Sequence, residues 1–318
     1  MVSNDIPVID FGPFLHGDEM DRRRVAAAMR QASAELGFFY LANHGLPQEV
    51  LSRSFKASAD FFALPEDAKM EVAWQNASSN RGYVAVRRER LDASKPGDLK
   101  EAFNAGPELD AARLDAGERP YRENRWPSAQ PAFRDDVLTL LDNCVETANR
   151  VLEAFALALD LPSDFFVDAH DDLHHTLRLL HYPPIAADYE AKDGESRAGA
   201  HTDYGSVTLL FQDDVGGLEV RTRDGRWVRA TPIPGTVVIN TGDLMQRWTN
   251  HVFCSTPHRV TMPPESTQRN RYSIAFFCHP NASAEIRCID SCTDDANPPR
   301  YPPILAWDHL MERLNATY

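Results

Sequence analysis

Two periodicities divide this chain near residue 160. Before that point apolar residues recur every three or four positions; beyond it they alternate. DEMDRRRVAAAMRQASAELG is polar at its start, apolar at helical spacing and stopped by Gly37, which predicts a helix. FFYLAN then reads as a strand. PQEVLSRSFKASADFFALP is a second helix, opened by Pro47 and closed before Pro65, and PEDAKMEVAW is a short third. Residues 76–126, rich in Asn, Ser, Gly, Pro and charge, read as long loops with short elements. From about Gln130 to Leu159 the apolar positions Val137, Leu140, Leu141, Val145, Ala148, Val151, Leu152 and Phe155 mark one buried face of a long helix.

Period two takes over in TLRLLHY, HTDYGSVTLLFQ, GLEVRT, RWVRA, TVVINTGD, HRVTMP and RYSIAFF, with Gly, Pro and Asp clusters between them. At least seven short strands after a helical scaffold predict a mainly β fold with flanking helices and a jelly-roll core. We expect a single domain over residues 1–318. It comprises a mainly helical part at 1–160, the jelly roll at 175–280 and a closing helix within 300–318 from ILAWDHLMERLN.

Composition narrows the function. The 318 residues are 43% hydrophobic and 25% charged, as in ordinary globular chains. A net charge of −14 argues against nucleic-acid or anionic-membrane binding, since both need a basic face. No basic segment leads into an apolar run at the start, and nothing approaches a membrane span. The five cysteines are odd in number and lack CxxC spacing. Cys288 and Cys292 have no partner pair for a metal site, so free thiols in a reducing, cytoplasmic setting are expected. A small-molecule substrate and a monomer or weak homo-oligomer complete the expectation.

His201 and Asp203 stand one residue apart in a run that reads as strand, so both side chains take one face. With His258 from a later strand they would make two histidines and a carboxylate, the facial set that holds non-haem Fe(II). A plain His–Asp hydrogen bond with His258 at the surface explains the same residues. Further on, Arg271 and Ser273 share a strand face, where a guanidinium beside a hydroxyl suits a carboxylate.

HxD, a distant His and RxS in this order resemble the Fe(II)/2-oxoglutarate-dependent dioxygenases of the isopenicillin N synthase-like family. IPVIDF, GFFYLANHGLP, RLLHYPP and GDLMQRWTN extend the resemblance along the chain. It implies a double-stranded β-helix, with Fe(II), 2-oxoglutarate and O2 as cofactor and co-substrates. It also implies His201, Asp203 and His258 as iron ligands and catalytic centre, and Arg271, Ser273 and Tyr182 as the 2-oxoglutarate site. One departure is Leu180, where many plant members carry Asn. Within the family the chain resembles the thymine 7-hydroxylases, through NRGY (80–83), LRLLHYP, RAGAHTDYGSVTLLFQD, RYSIAFFCHPN and RLNATY. That likeness implies a planar, thymine-like heterocycle held by Arg178, Tyr204, Phe277, Asn80 and Tyr83. Arg87, Arg88 and Arg90 form a charge run, either a solvated loop or a reception for an anionic substrate. An oxidase of the isopenicillin N synthase or ethylene-forming type, with or without 2-oxoglutarate, is the alternative activity.

Overall fold

The alternation read in the second half places each strand's odd and even residues on opposite sides of a sheet, and both sides are covered. A computed structural model describes residues 6–77, 79–89, 96–108, 123–186, 189, 196–262 and 267–317. The first part runs β1 (Val8–Asp10), α1 (Gly12–His16), α2 (Glu19–Glu35), β2 (Phe38–Ala42), α3 (Gln48–Phe62), α4 (Glu66–Met70), β3 (Gly82–Val84), β4 (Glu101–Ala105) and α5 (Phe133–Ala158). Then follow β5 (Thr176–Tyr182), β6 (Ala198–His201), β7 (Val207–Gln212), β8 (Leu218–Arg221), β9 (Trp227–Arg229) and β10 (Thr236–Thr241). The last part holds α6 (Asp243–Trp248), β11 (His258–Val260), β12 (Arg271–Cys278), the small pair β13 (Glu285–Ile286) and β14 (Ile304–Leu305), and α7 (Ala306–Thr317).

Strands β5 to β12 form two four-stranded layers. One, β6-β11-β8-β9, stands alone; the other, β10-β7-β12-β5, is the centre of an eight-stranded sheet of order β1-β2-β10-β7-β12-β5-β4-β3. This is the double-stranded β-helix. The flanking strands β1, β2, β3 and β4 come from the first third, where the sequence pattern predicts one strand and long loops. Short strands such as β3 and β4, carrying Gly, Glu and Asn, show too little apolar alternation to be seen.

Each face of the large sheet has its own core. Leu177, Leu179, Ile274 and Phe276 point outward and pack with Phe61, Leu140, Val151 and Phe155 of α3 and α5. Leu180, Tyr182 and Ala275 point inward and meet Ala198, Leu218, Val220 and Val260 of the small sheet. Among the described residues no helix is long and apolar enough to cross a membrane.

Candidate active site

A cavity opens between the two sheets, lined from one side by the inward residues of β5 and β12 and from the other by β6 and β11. His201 and His258 sit opposite each other in the β6–β11 ladder, with ring centroids 4.3 Å apart. Asp203 completes the cluster: its Oδ1 lies 3.9 Å from His201 Nε2 and 3.6 Å from His258 Nε2. Among the described residues this is the one group of three such side chains close enough to share a metal ion.

The expected continuous strand over 201–212 is not formed. Strand β6 ends at His201, Asp203 lies in the following turn, and β7 begins in the other sheet. Strand alternation is therefore not what brings the two side chains together. The turn is held by the first N–H groups of α6: Asp243 N donates to Asp203 O at 2.7 Å and Leu244 N to Gly205 O at 3.2 Å. Two glycines permit the approach. A Cβ on Gly205 would meet the Cys278 carbonyl at 2.7 Å, and one on Gly242 the Gly205 carbonyl at 2.4 Å.

Hydrogen bonds settle which atoms face the centre. His201 Nδ1 donates to Gly199 O at 2.8 Å and His258 Nδ1 to Thr256 O at 3.2 Å, so both Nε2 atoms are left as lone-pair donors. Asp203 Oδ2 accepts from Thr208 Oγ1 at 2.6 Å and Asn240 Nδ2 at 2.7 Å, which leaves Oδ1 for the centre. Burial, reinforced by His258, pushes the His201 imidazole down to about 3. Burial alone would raise Asp203, but the two imidazoles and the Asn240 and Thr208 bonds outweigh it and hold the carboxyl below its usual value. Two imidazole nitrogens with one carboxylate oxygen, their outer atoms already bonded, fit a divalent iron.

On the large sheet Arg271 is 1% exposed. Its Nε donates to Gly216 O at 2.6 Å and its Nη2 to Gln212 Oε1 at 3.3 Å, while the guanidinium lies 4.5 Å from the Tyr182 ring centroid. Nη1 stands 3.4 Å from Ser273 Oγ. Register explains the grouping: Arg271 pairs with Tyr182, and Ser273 follows on the same face.

Arg178, Tyr204, Phe277 and Asn80 also line the cavity. Asn80 Oδ1 accepts from Trp74 Nε1 and Asn104 Nδ2, which orients its amide. Tyr83 does not line the cavity. With Gly82 at φ 94°, the chain turns so that Tyr83 is buried beside Phe61, its hydroxyl on Glu101. Arg87 donates to the Tyr189 hydroxyl at 2.8 Å and Arg88 lies over Trp74, both away from the cavity; Arg90 lies outside the described residues.

The cavity has further walls that sequence reasoning missed. Glu89, Lys100 and Asn104 enter from the β3–β4 edge, and Leu310 and Leu314 of α7 cover one side. Lys100 and Asn104 are an even-numbered pair around β4, a period-two signal hidden by their polarity. For α7 the apolar face was visible, but its partner was not.

Comparison with known proteins agrees with this geometry. Residues 6–129 match the family model described as "non-haem dioxygenase in morphine synthesis N-terminal", and residues 173–280 that of the 2OG-Fe(II) oxygenase superfamily. The 2-oxoglutarate-Fe(II) type oxidoreductase hxnY of Emericella nidulans is 34% identical over 98% of this chain and 90% of its own length. The crystal structure of the full-length thymine 7-hydroxylase of Neurospora crassa, in complex with α-ketoglutarate and thymine, superposes with a TM-score of 0.88. It is 37% identical, over 98% of this chain and 97% of that one. A 2OG-Fe(II) oxygenase family protein of Caulobacter crescentus gives 0.87 at 36% identity, covering 98% and 99%. This chain belongs to the 2OG-Fe(II) oxygenase superfamily: it is a dioxygenase that uses Fe(II), 2-oxoglutarate and O2 on a small molecule.

Proposed function

We propose that the chain hydroxylates a small planar heterocycle of the thymine kind. In this reading His201, Asp203 and His258 hold the iron, Arg271, Ser273 and Tyr182 take the distal carboxylate of 2-oxoglutarate, and Asn80, Arg178, Tyr204 and Phe277 take the ring. The observation that carries it is one cavity lined by all three groups, with the metal-facing atoms at one place in it. The thymine bound to the similar Neurospora enzyme supports the substrate class.

The iron, 2-oxoglutarate and O2 supply the oxidising chemistry, in which 2-oxoglutarate becomes succinate and CO2 and one oxygen atom enters the substrate. The protein's residues orient and exclude. Arg271, fixed by Gly216 and Gln212, offers Nη1 beside the Ser273 hydroxyl to a carboxylate. Asn80, its oxygen committed to Trp74 and Asn104, has amide protons to give a ring carbonyl. Tyr204 and Phe277 supply flat apolar walls, while Leu310 and Leu314 keep water from one side. Five unpaired thiols support a reducing, cytoplasmic setting, and we expect a monomer or weak homo-oligomer.

The test is succinate release by the purified protein with Fe(II), 2-oxoglutarate and O2. The panel holds thymine, uracil, other methylated or carboxylated heterocycles, and no added substrate. Thymine-stimulated succinate with a hydroxymethyl product is the expected result. Stimulation by another heterocycle keeps the chemistry and moves the substrate. No succinate under any condition, with O2 still consumed, would replace the reading by a 2-oxoglutarate-independent oxidase.

A further inference from the structure

Four charged side chains, Arg178 half-buried and the other three buried, cluster at one end of the cavity. Arg178 Nη2 lies 2.6 Å from Glu89 Oε1, and Glu89 Oε2 lies 3.2 Å from Lys100 Nζ. Lys100 also bonds Asp98. Side-chain exposures are 14% for Arg178, 6% for Glu89, 7% for Lys100 and 5% for Asp98. Three of them, Glu89, Lys100 and Arg178, line the cavity. Burial alone would lower the Lys100 ammonium, but Glu89 and Asp98 outweigh it and hold it above its ordinary value. The group is also tied to the metal side: Asp98 Oδ1 accepts from Gly199 N at 3.0 Å, and the Gly199 carbonyl accepts from His201 Nδ1.

Among the described residues of this cluster two cations face two anions. A substrate arriving here meets an Arg178 already in an ion pair with Glu89, so an anionic group would lie against that carboxylate in a medium that screens charge poorly. Neither Arg87 nor Arg88 offers relief, since both are engaged away from the cavity. A ring N–H, by contrast, finds in Glu89 a charged acceptor.

Resting on the oxygenase reading above, we propose that Glu89 is a specificity-determining residue. It neutralises Arg178 and Lys100, restricts the substrate to a ring uncharged at this end, and rejects the carboxylated analogue. The preference is built by repulsion as much as by attraction.

The experiment loads the full chain with Fe(II) and 2-oxoglutarate without O2 and follows the visible charge-transfer band of the complex. Uracil and uracil-6-carboxylate, whose charge lies off the 5-position aimed at the metal, are then titrated as a matched neutral and anionic pair, with the band's perturbation giving each Kd. Wild-type protein should bind the neutral ring at least about tenfold more tightly, and Glu89→Gln should narrow that ratio by about tenfold through tighter binding of the carboxylate. Glu89→Asp, which keeps the charge, should retain the wild-type preference. A wild-type preference for the 6-carboxylate overturns the proposal without any variant. So does a ratio unchanged in Glu89→Gln, or failure of both rings to bind either protein. Absence of the band in wild-type protein would instead refute the iron and 2-oxoglutarate reading beneath it.

Discussion

Replacing Asn240 by alanine removes one of the two hydrogen bonds to the outer oxygen of Asp203 while touching nothing that faces the metal. The Asn240 side chain is 2% exposed on β10 and its Nδ2 stands 2.7 Å from Asp203 Oδ2. A hydrogen bond to a charged group contributes about 1.5–3 kcal/mol, and each 1.4 kcal/mol is about a factor of ten, so Fe(II) affinity should fall roughly 10- to 150-fold. Because Thr208 still bonds the same oxygen at 2.6 Å, the lower part of that range, about 10- to 30-fold, is expected. Anaerobic titration with Fe(II), or with Co(II) as a coloured substitute, measures it. Melting of the metal-free protein serves as the control for folding. Thr208→Val and the double variant complete a cycle, in which the two bonds should couple because they share one oxygen. A metal Kd within about twofold of wild type in Asn240→Ala, with the fold intact, would refute the claim that these bonds orient the carboxylate.

Other expectations follow from single contacts. Arg271→Lys loses the planar donor fork and its stacking on Tyr182, so the KM for 2-oxoglutarate should rise by about 30-fold or more with metal affinity unchanged; an unchanged KM would exclude Arg271 from the co-substrate site. Tyr83→Phe should lower stability by about 1–3 kcal/mol through the lost bond to Glu101 and leave substrate KM unaltered in steady-state assays. Leu314→Ala opens the wall that α7 gives the cavity, and succinate release should exceed hydroxylated product where wild type keeps the two equal. Burial, only partly offset by the Phe166 carbonyl and Asp171, holds His170 down to about 4 against an ordinary 6.5. The unfolded chain therefore takes up a proton that the folded chain refuses between those values. That stability is present above pH 6.5 and is lost as pH falls toward 4, by about 3 kcal/mol in denaturant melts, a slope His170→Asn should flatten.

What can be read from the chain alone follows from how each residue is placed. Arg178, Leu180 and Tyr182 on β5, and Arg271, Ser273, Ala275 and Phe277 on β12, face one cavity because a strand's period is two, and that period is written in the sequence. Strand alternation groups Asp203 with His201 correctly but for the wrong reason. The turn that aims it depends on Gly205, Gly242 and the start of α6, and the α6 partners lie some 40 positions away, where no local period reveals them. Tyr83 is misplaced by its nearness to Asn80 in the sequence, since two positive φ angles, at Asn80 and Gly82, separate their directions.

Glu89, Asp98 and Lys100 are the hardest to see. Each looks like an ordinary surface charge in a polar stretch, and only the β4–β5 pairing carries the segment inward, with Asn104 opposite Arg178. A polar residue in an apolar strand announces itself because it breaks a pattern. A charge in a charged segment breaks nothing, so its burial becomes visible only when a second strand, distant in sequence, supplies its counter-ion. Glu89 and Lys100 are such residues in the cavity wall, whereas Arg178, Arg271 and Ser273 interrupt apolar strands. That difference in background explains why one part of the cavity's lining is legible in the sequence and the other is not.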